Sequence, residues 1–158
     1  MKRTRRLPER VLNASSADIY AVLADGWTYS DWVVGTAHIR AVDDAWPAPG
    51  THLHHKAGPW PLSIRDTSTV LECEPGRMLL TKVRIWPLGE GHLRITLTPV
   101  GSTRTRVTLF EDFTAGPLHW LWTKVNDLAL HRRNVEALRR IEELAGARVE
   151  RTMRGPHA

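Results

Sequence analysis

A single cysteine, Cys73, stands in 158 residues. The chain therefore has no internal disulfide and no Cys-based metal knot, which fits a reducing compartment. No apolar run approaches the roughly 20 residues of a membrane span, and the opening MKRTRRLPER lacks the apolar core of a secretory signal. Both absences point to a cytoplasmic protein. Gly89-Glu90-Gly91 is no phosphate loop, because it lacks the strand-to-helix setting that motif needs. A serine elbow and a catalytic-cysteine setting are missing too, which argues against ordinary covalent hydrolysis. Zinc-finger spacing and RNA-binding aromatic motifs are also absent. With no repeat, linker or low-complexity segment, the length suits one domain with one sizeable core.

What is abundant is positive charge and tryptophan. The net charge is +5 and the pI near 10.0. The basic residues gather at the two ends, and those of the last helical stretch alternate with Glu136, Glu142 and Glu143 at spacings that suit i to i+3 or i+4 pairing. That pattern describes a solvated face, and no nucleic acid is expected as a partner. Seven tryptophans are spread over loops and element ends, as if lining the rim of something wide.

Residues 3 to 13 suit a first strand, with Pro8 demoting part of it to an edge or bulge. Ser15-Ser16-Ala17-Asp18 offers a helix start, a serine with an acid three residues on. Ile19, Val22 and Leu23 form the apolar face, and Asp25-Gly26 the stop. A second short helical segment follows at residues 27 to 32. From Thr36 to Phe113 the period is two, with strands expected near 36–44, 51–57, 62–73, 77–86, 91–99 and 104–113, separated by Pro/Gly turns. Consecutive strands on short turns make an antiparallel meander.

The last long stretch, Leu118 to Ala145, carries no proline or glycine and is expected to be one helix. At about 100° per residue, Thr123, Asp127, Leu130, Asn134, Leu138, Ile141 and Ala145 share a face that is apolar toward the C-terminus and partly polar toward the middle. Residues 146 to 158 lose this periodicity and are expected to be a frayed basic tail. A curved sheet wrapped around such a helix leaves a hollow, and polar groups on the helix face point to a cavity rather than a packed interior. Leu121, Trp122, Val125, Leu128 and Ala129, on the other side, also need a cover. A second subunit of the same chain is one option, internal loops another.

Several strings are familiar in this order: Ala14 to Leu23 at the first helix, Asp31-Trp32-Val33-Val34-Gly35, Trp46-Pro47-Ala48-Pro49-Gly50, Val70 to Pro75, and Arg132-Arg133-Asn134 through Leu138. From about residue 10 to 145 the chain resembles the SRPBCC superfamily, the START-like or helix-grip group, and within it the bacterial polyketide cyclase/dehydrase-type proteins. The resemblance implies an α+β helix-grip fold: about seven antiparallel strands wrapped around a long C-terminal helix, with two short helices after strand one. It also implies a deep pocket between sheet and helix. It transfers no catalytic list, because the group's catalytic members share no residue set and fold does not carry function.

The candidate site therefore comes from the residues. If Leu53 marks the inside of its strand, His55 enters the cavity while His52 and His54 face water. The alternating histidines would ligate zinc only with further ligands converging on them, and none is fixed by the sequence. Neither a metal nor a cofactor is expected. Alternation through Val107 and Leu109 aims Glu111 inward, where an apolar pocket disfavours a charged carboxyl. It would then serve as general acid or base in an aldol-type cyclisation or dehydration, or pair with a pocket arginine. One of Arg65 and Asp66 points in. The candidate lining is Trp32, His55, Asp66, Val83, Ile95, Leu109, Glu111, Asp127, Leu130 and Asn134, with Trp60 and Trp86 as further aromatic walls. Three functions stay open: binding of a small hydrophobic or aromatic, polyketide- or lipid-like metabolite; a cyclase or dehydratase using Glu111; and an interaction module without a ligand.

Overall fold

The structure is a computed structural model that describes residues 8–58, 61, 63–85, 89–115 and 127–155, and of residues 85, 113, 115, 127 and 129 the backbone alone. The chain enters on β1 (Glu9–Leu12) and turns into α1 (Ser16–Ala24). Ser15 caps α1, its hydroxyl oxygen accepting from the Asp18 amide at 3.1 Å, an N-cap of the kind that contributes about 1 kcal/mol. Asp25 then caps a 3-10 turn (Gly26–Thr28), its side chain accepting from the Trp27 amide, and the turn runs straight into α2 (Tyr29–Trp32). Gly26 sits here by necessity, since a Cβ on it would lie 2.6 Å from Val42 Cγ1 and close to Leu53 and Trp46.

Six strands follow: β2 (Thr36–Val42), β3 (His52–Ala57), β4 (Ile64–Glu74), β5 (Met78–Ile85), β6 (Gly89–Gly101) and β7 (Arg104–Ala115). The seven-stranded sheet has the order β1-β7-β6-β5-β4-β3-β2, and every pairing is antiparallel. Register shifts interrupt β2/β3, β4/β5 and β6/β7. Such bulges increase local twist and let a sheet curl. The inward side of the alternation carries Leu53, Val70, Leu79, Leu93, Ile95, Leu97, Val107 and Leu109, all buried, and each large side chain so covered stabilises by about 1.5–3 kcal/mol.

Helix α3 (Asp127–Arg154) supplies the cover. Its buried positions Leu130, Asn134, Ala137, Leu138, Ile141 and Ala145 follow helical spacing. The face expected from the sequence is thus observed from Leu130 onward; Thr123 and the Asp127 side chain lie outside the described residues. The helix does not end at Ala145. It continues through Gly146 to Arg154, where Gly155 adopts φ +68° ahead of Pro156. A left-handed glycine followed by proline is a strong stop, whereas a lone glycine inside a helix costs only about 1 kcal/mol. Lost amphipathicity marks where the helix leaves the sheet, not where it ends. No described helix is long and apolar enough to cross a membrane.

Candidate functional site

Between the sheet and α3 lies a partly open cavity of about 100 Å³. Strand alternation and helical spacing bring seven of the sequence candidates to its wall: Trp32, His55, Asp66, Val83, Leu109, Glu111 and Asn134. Ile95 and Leu130 are buried but do not line it. Ile95 shares the inward face with Leu93 but lies one step further along β6, inside the hydrophobic cluster. Asp127 is the first described residue of α3, and its side chain, like all of Trp60 and Trp86, is outside the described residues. So are Leu121, Trp122 and Val125 of the expected apolar patch, while Leu128 is 62% exposed.

One end of the cavity is built by β3 and β4. His55 and Asp66 are directly opposed in the ladder, and both are removed from solvent, at 2% and 5% exposure. Arg65, on the other face, is exposed. Placing the acid rather than the arginine inside is physically affordable because the carboxyl can become neutral. Burial pushes Asp66 up from 3.8 to about 7, against the opposing pull of the Thr67 amide and the Arg84 charge. The Thr67 amide donates to Asp66 Oδ1 at 2.6 Å. Burial likewise lowers His55 from 6.5 to about 4, helped by the positive charges of His54 and Arg40. Both groups are driven toward their uncharged forms, and their closest approach, 3.9 Å from Nε2 to Oδ2, is longer than a hydrogen bond.

Ser68 and Tyr29 extend this end. His55 Nε2 is 3.2 Å from Ser68 Oγ, which is 3.1 Å from the Tyr29 hydroxyl. The Tyr29 and His55 rings lie 5.4 Å apart. Burial raises the Tyr29 hydroxyl well above the ordinary phenol range, so it keeps its proton. The sequence reading missed both residues. Ser68 was within reach, since it alternates with Asp66 and Val70 on the same strand face. Serine, histidine and aspartate meet here, yet not as a nucleophilic triad: Asp66 approaches the same ring nitrogen as Ser68 instead of holding the other one. His55 Nδ1 and Asp66 Oδ2 are buried with no hydrogen-bond partner among the described residues, a condition that costs about 1–3 kcal/mol per group.

The other end is charged. Glu111, opposite Leu93 in the β6–β7 ladder, pairs through Oε1 with Arg133 of α3, while Oε2 is buried without a hydrogen-bond partner among the described residues. The pocket arginine considered from the sequence is therefore present, and Arg133 joins Asn134 on the wall. Consecutive helix residues diverge by about 100°, so the face pattern that flagged Asn134 passed over its neighbour. Val33 to Thr36, leading out of α2, form the remaining rim.

His52 and His54 stay outside the cavity. His52 Nδ1 lies 3.2 Å from Asp43, His54 Nδ1 3.2 Å from Thr67 Oγ1, and the two rings stack. Among the described residues no three His, Cys, Asp or Glu side chains converge as metal ligands. Trp32 forms part of the cavity wall. Trp46 is buried, donating from Nε1 to the Leu23 carbonyl at 3.3 Å, and Trp27 is 61% exposed.

The sequence profile described as "polyketide cyclase / dehydrase and lipid transport" matches residues 8–146. No curated protein matches the chain significantly. Among solved structures, the Zhui aromatase/cyclase from a Streptomyces species superposes with a TM-score of 0.69 at 17% identity, covering 89% of this chain and 92% of that one. A Nitrosomonas europaea protein gives 0.68 at 18% identity over 90% and 94% of the two chains. The di-domain ARO/CYC StfQ of the steffimycin biosynthetic pathway gives 0.60 at 14% identity, covering 93% of this chain and 54% of that one. At these identities the superpositions establish a shared fold.

Proposed function

From the membership of this chain in the polyketide cyclase/dehydrase and lipid transport family, we propose that it binds one small, partly apolar metabolite between the sheet and α3. The observation that carries this reading is the cavity itself: Trp32, Val83, Leu93, Leu109 and Ala137 supply apolar walls, with polar groups concentrated at two ends. An apolar chamber with a few converging polar groups is the usual form of a small-molecule site. Its volume of about 100 Å³ is below the ~300–1,000 Å³ of drug-sized sites and nearer the ~150 Å³ of a cavity that holds benzene. A single ring or a short acyl chain fits that space. A larger guest requires movement of the rim at Val33 to Thr36. Native mass spectrometry of gently purified protein is expected to reveal a noncovalent adduct, or one after incubation with small aromatic ketones. Empty protein under every condition would remove the proposal.

A second reading, proton transfer on the bound molecule, is favoured by one observation. Asp66 is held at about 7, where a carboxyl is well matched to donate or accept a proton near neutral pH. Glu111, the sequence candidate for that role, is instead engaged by Arg133. The likeness in fold to the Streptomyces Zhui aromatase/cyclase makes cyclisation or dehydration the reaction class to assay. On an accepted substrate, Asp66→Asn is expected to reduce turnover by about a hundredfold or more, from the lower edge of the ~10²–10⁴ range for general acid–base catalysis upward. Glu111→Gln is expected to alter mainly KM. Full turnover in Asp66→Asn would remove this role.

A further inference from the structure

The buried end of the cavity contains a directional chain of hydrogen bonds. Tyr29 keeps its proton, and Ser68 Oγ is its hydroxyl's partner among the described residues. A buried hydroxyl donates where it can, so Tyr29 donates to Ser68. The Ser68 proton is then directed to its other neighbour, His55 Nε2. A neutral imidazole that accepts at Nε2 carries its proton on Nδ1. His55 is neutral, since burial holds it far below the ordinary range. Nδ1 is the ring nitrogen left without a partner among the described residues, and His55 lines the cavity. Beside it, Asp66 has one oxygen occupied by the Thr67 amide and the other, Oδ2, without a hydrogen-bond partner among the described residues.

We propose that this end of the cavity is a two-donor site, His55 Nδ1–H and Asp66 Oδ2–H, which selects ligands presenting carbonyl or enol oxygens, with Ser68 and Tyr29 as positioning residues that fix the His55 tautomer. The proposal rests on the cavity-binding reading and adds the chemistry the guest must offer. Each donor is buried beyond 90% and sits on a strand, so its direction is set before a ligand arrives, and little freedom is lost on binding. The apolar walls receive the rest of the molecule. An amine or alcohol that must itself donate finds no matching acceptor at His55 Nδ1. A hydrocarbon of the same shape leaves both donors unpaired and binds more weakly.

The test pairs two probes of similar shape, acetophenone and isopropylbenzene, with nitrogen-15 NMR of the histidine rings in the full-length protein. Wild type is expected to bind acetophenone about tenfold more tightly than isopropylbenzene, the discrimination of one net hydrogen bond at the upper end of its usual range. The His55 ring is expected as the Nδ1-protonated tautomer. In Ser68→Ala that tautomer gives way to a mixture and the preference shrinks toward equality. Tyr29→Phe, which keeps the ring packing, moves both readouts the same way. His55→Phe, which leaves Asp66 Oδ2–H as the remaining donor, reduces the preference while isopropylbenzene still binds. An Nε2-protonated His55 in wild type overturns the proposal without any variant. Equal affinity for the two probes overturns it while leaving the cavity reading intact. Failure of both probes to bind removes the cavity reading and the proposal with it.

Discussion

At the scale of single residues, the facing pair His55 and Asp66 makes a prediction about pH that neither group makes alone. In the unfolded chain between pH 4 and 6.5 the histidine is protonated and the aspartate is not. In the folded chain burial reverses both, holding Asp66 up to about 7 and His55 down to about 4. The number of bound protons is the same in the two states, so the pair contributes almost no pH dependence across that window. Single substitutions expose the hidden slopes. His55→Phe leaves an aspartate that binds its proton more tightly when folded, so stability should fall as pH rises from about 4 to about 7. Asp66→Asn leaves a histidine that resists protonation when folded, so stability should rise from about 4 to about 6.5. Each slope approaches about 1.4 kcal/mol per pH unit when one proton is fully at stake. The charged groups around the pair, Arg84 beside Asp66, His54 and Arg40 beside His55, and Glu111 with Arg133 on the same cavity wall, remain in both variants. Urea titrations across pH measure the slopes, and parallel curves for the two variants would contradict the assignment.

At the scale of elements, the corner between α1 and α2 decides where Tyr29 and Trp32 stand, and Gly26 is its tightest point. A methyl group there meets Val42 Cγ1 at 2.6 Å, a distance that forces backbone or side chain to shift. Gly26→Ala is expected to destabilise by about 1–3 kcal/mol, the usual cost of overpacking, seen as a lower urea midpoint with unchanged m-value. A loss under a few tenths of a kcal/mol would mean that the corner yields freely. How much of these elements the sequence discloses depends on the length scale of the force involved. The Ser15 cap, the strand alternation that sends Leu53 and His55 inward, and the helical face through Asn134 are local patterns, and all are observed. The choice between Arg65 and Asp66 was not local. Both faces of β4 are polar there, and the deciding factors are the opposing His55 and a shifted protonation equilibrium that exists only after burial. Arg133 and Tyr29 escaped for the same reason, since each becomes a site residue through a partner 22 or 39 positions away.

At the scale of the whole molecule, α3 is fastened to the sheet by polar clasps as well as by its apolar face. Near β1, Glu142 accepts from both the Asn13 amide and side chain at 2.9 and 3.1 Å and pairs with Arg10 at 3.2 Å. Those contacts are largely exposed, where an ion pair contributes about 0.2–1 kcal/mol. Arg133 with Glu111 differs because the carboxylate side chain is only 14% exposed and the pair bridges the helix and β7 across the cavity wall. A charge-assisted hydrogen bond in such a setting is worth about 1.5–3 kcal/mol. The cycle of Glu111→Gln, Arg133→Met and the double variant should therefore show a coupling above about 1 kcal/mol, well clear of the ~0.3–0.5 kcal/mol within which independent sites add. The double variant should lose less stability than the two single losses added together, because each single variant strands a partly buried charge. Simple additivity would show that the Arg133–Glu111 pair does not hold the helix over the cavity. In that case the charged end of the chamber would be free to engage a ligand rather than committed to closing the fold.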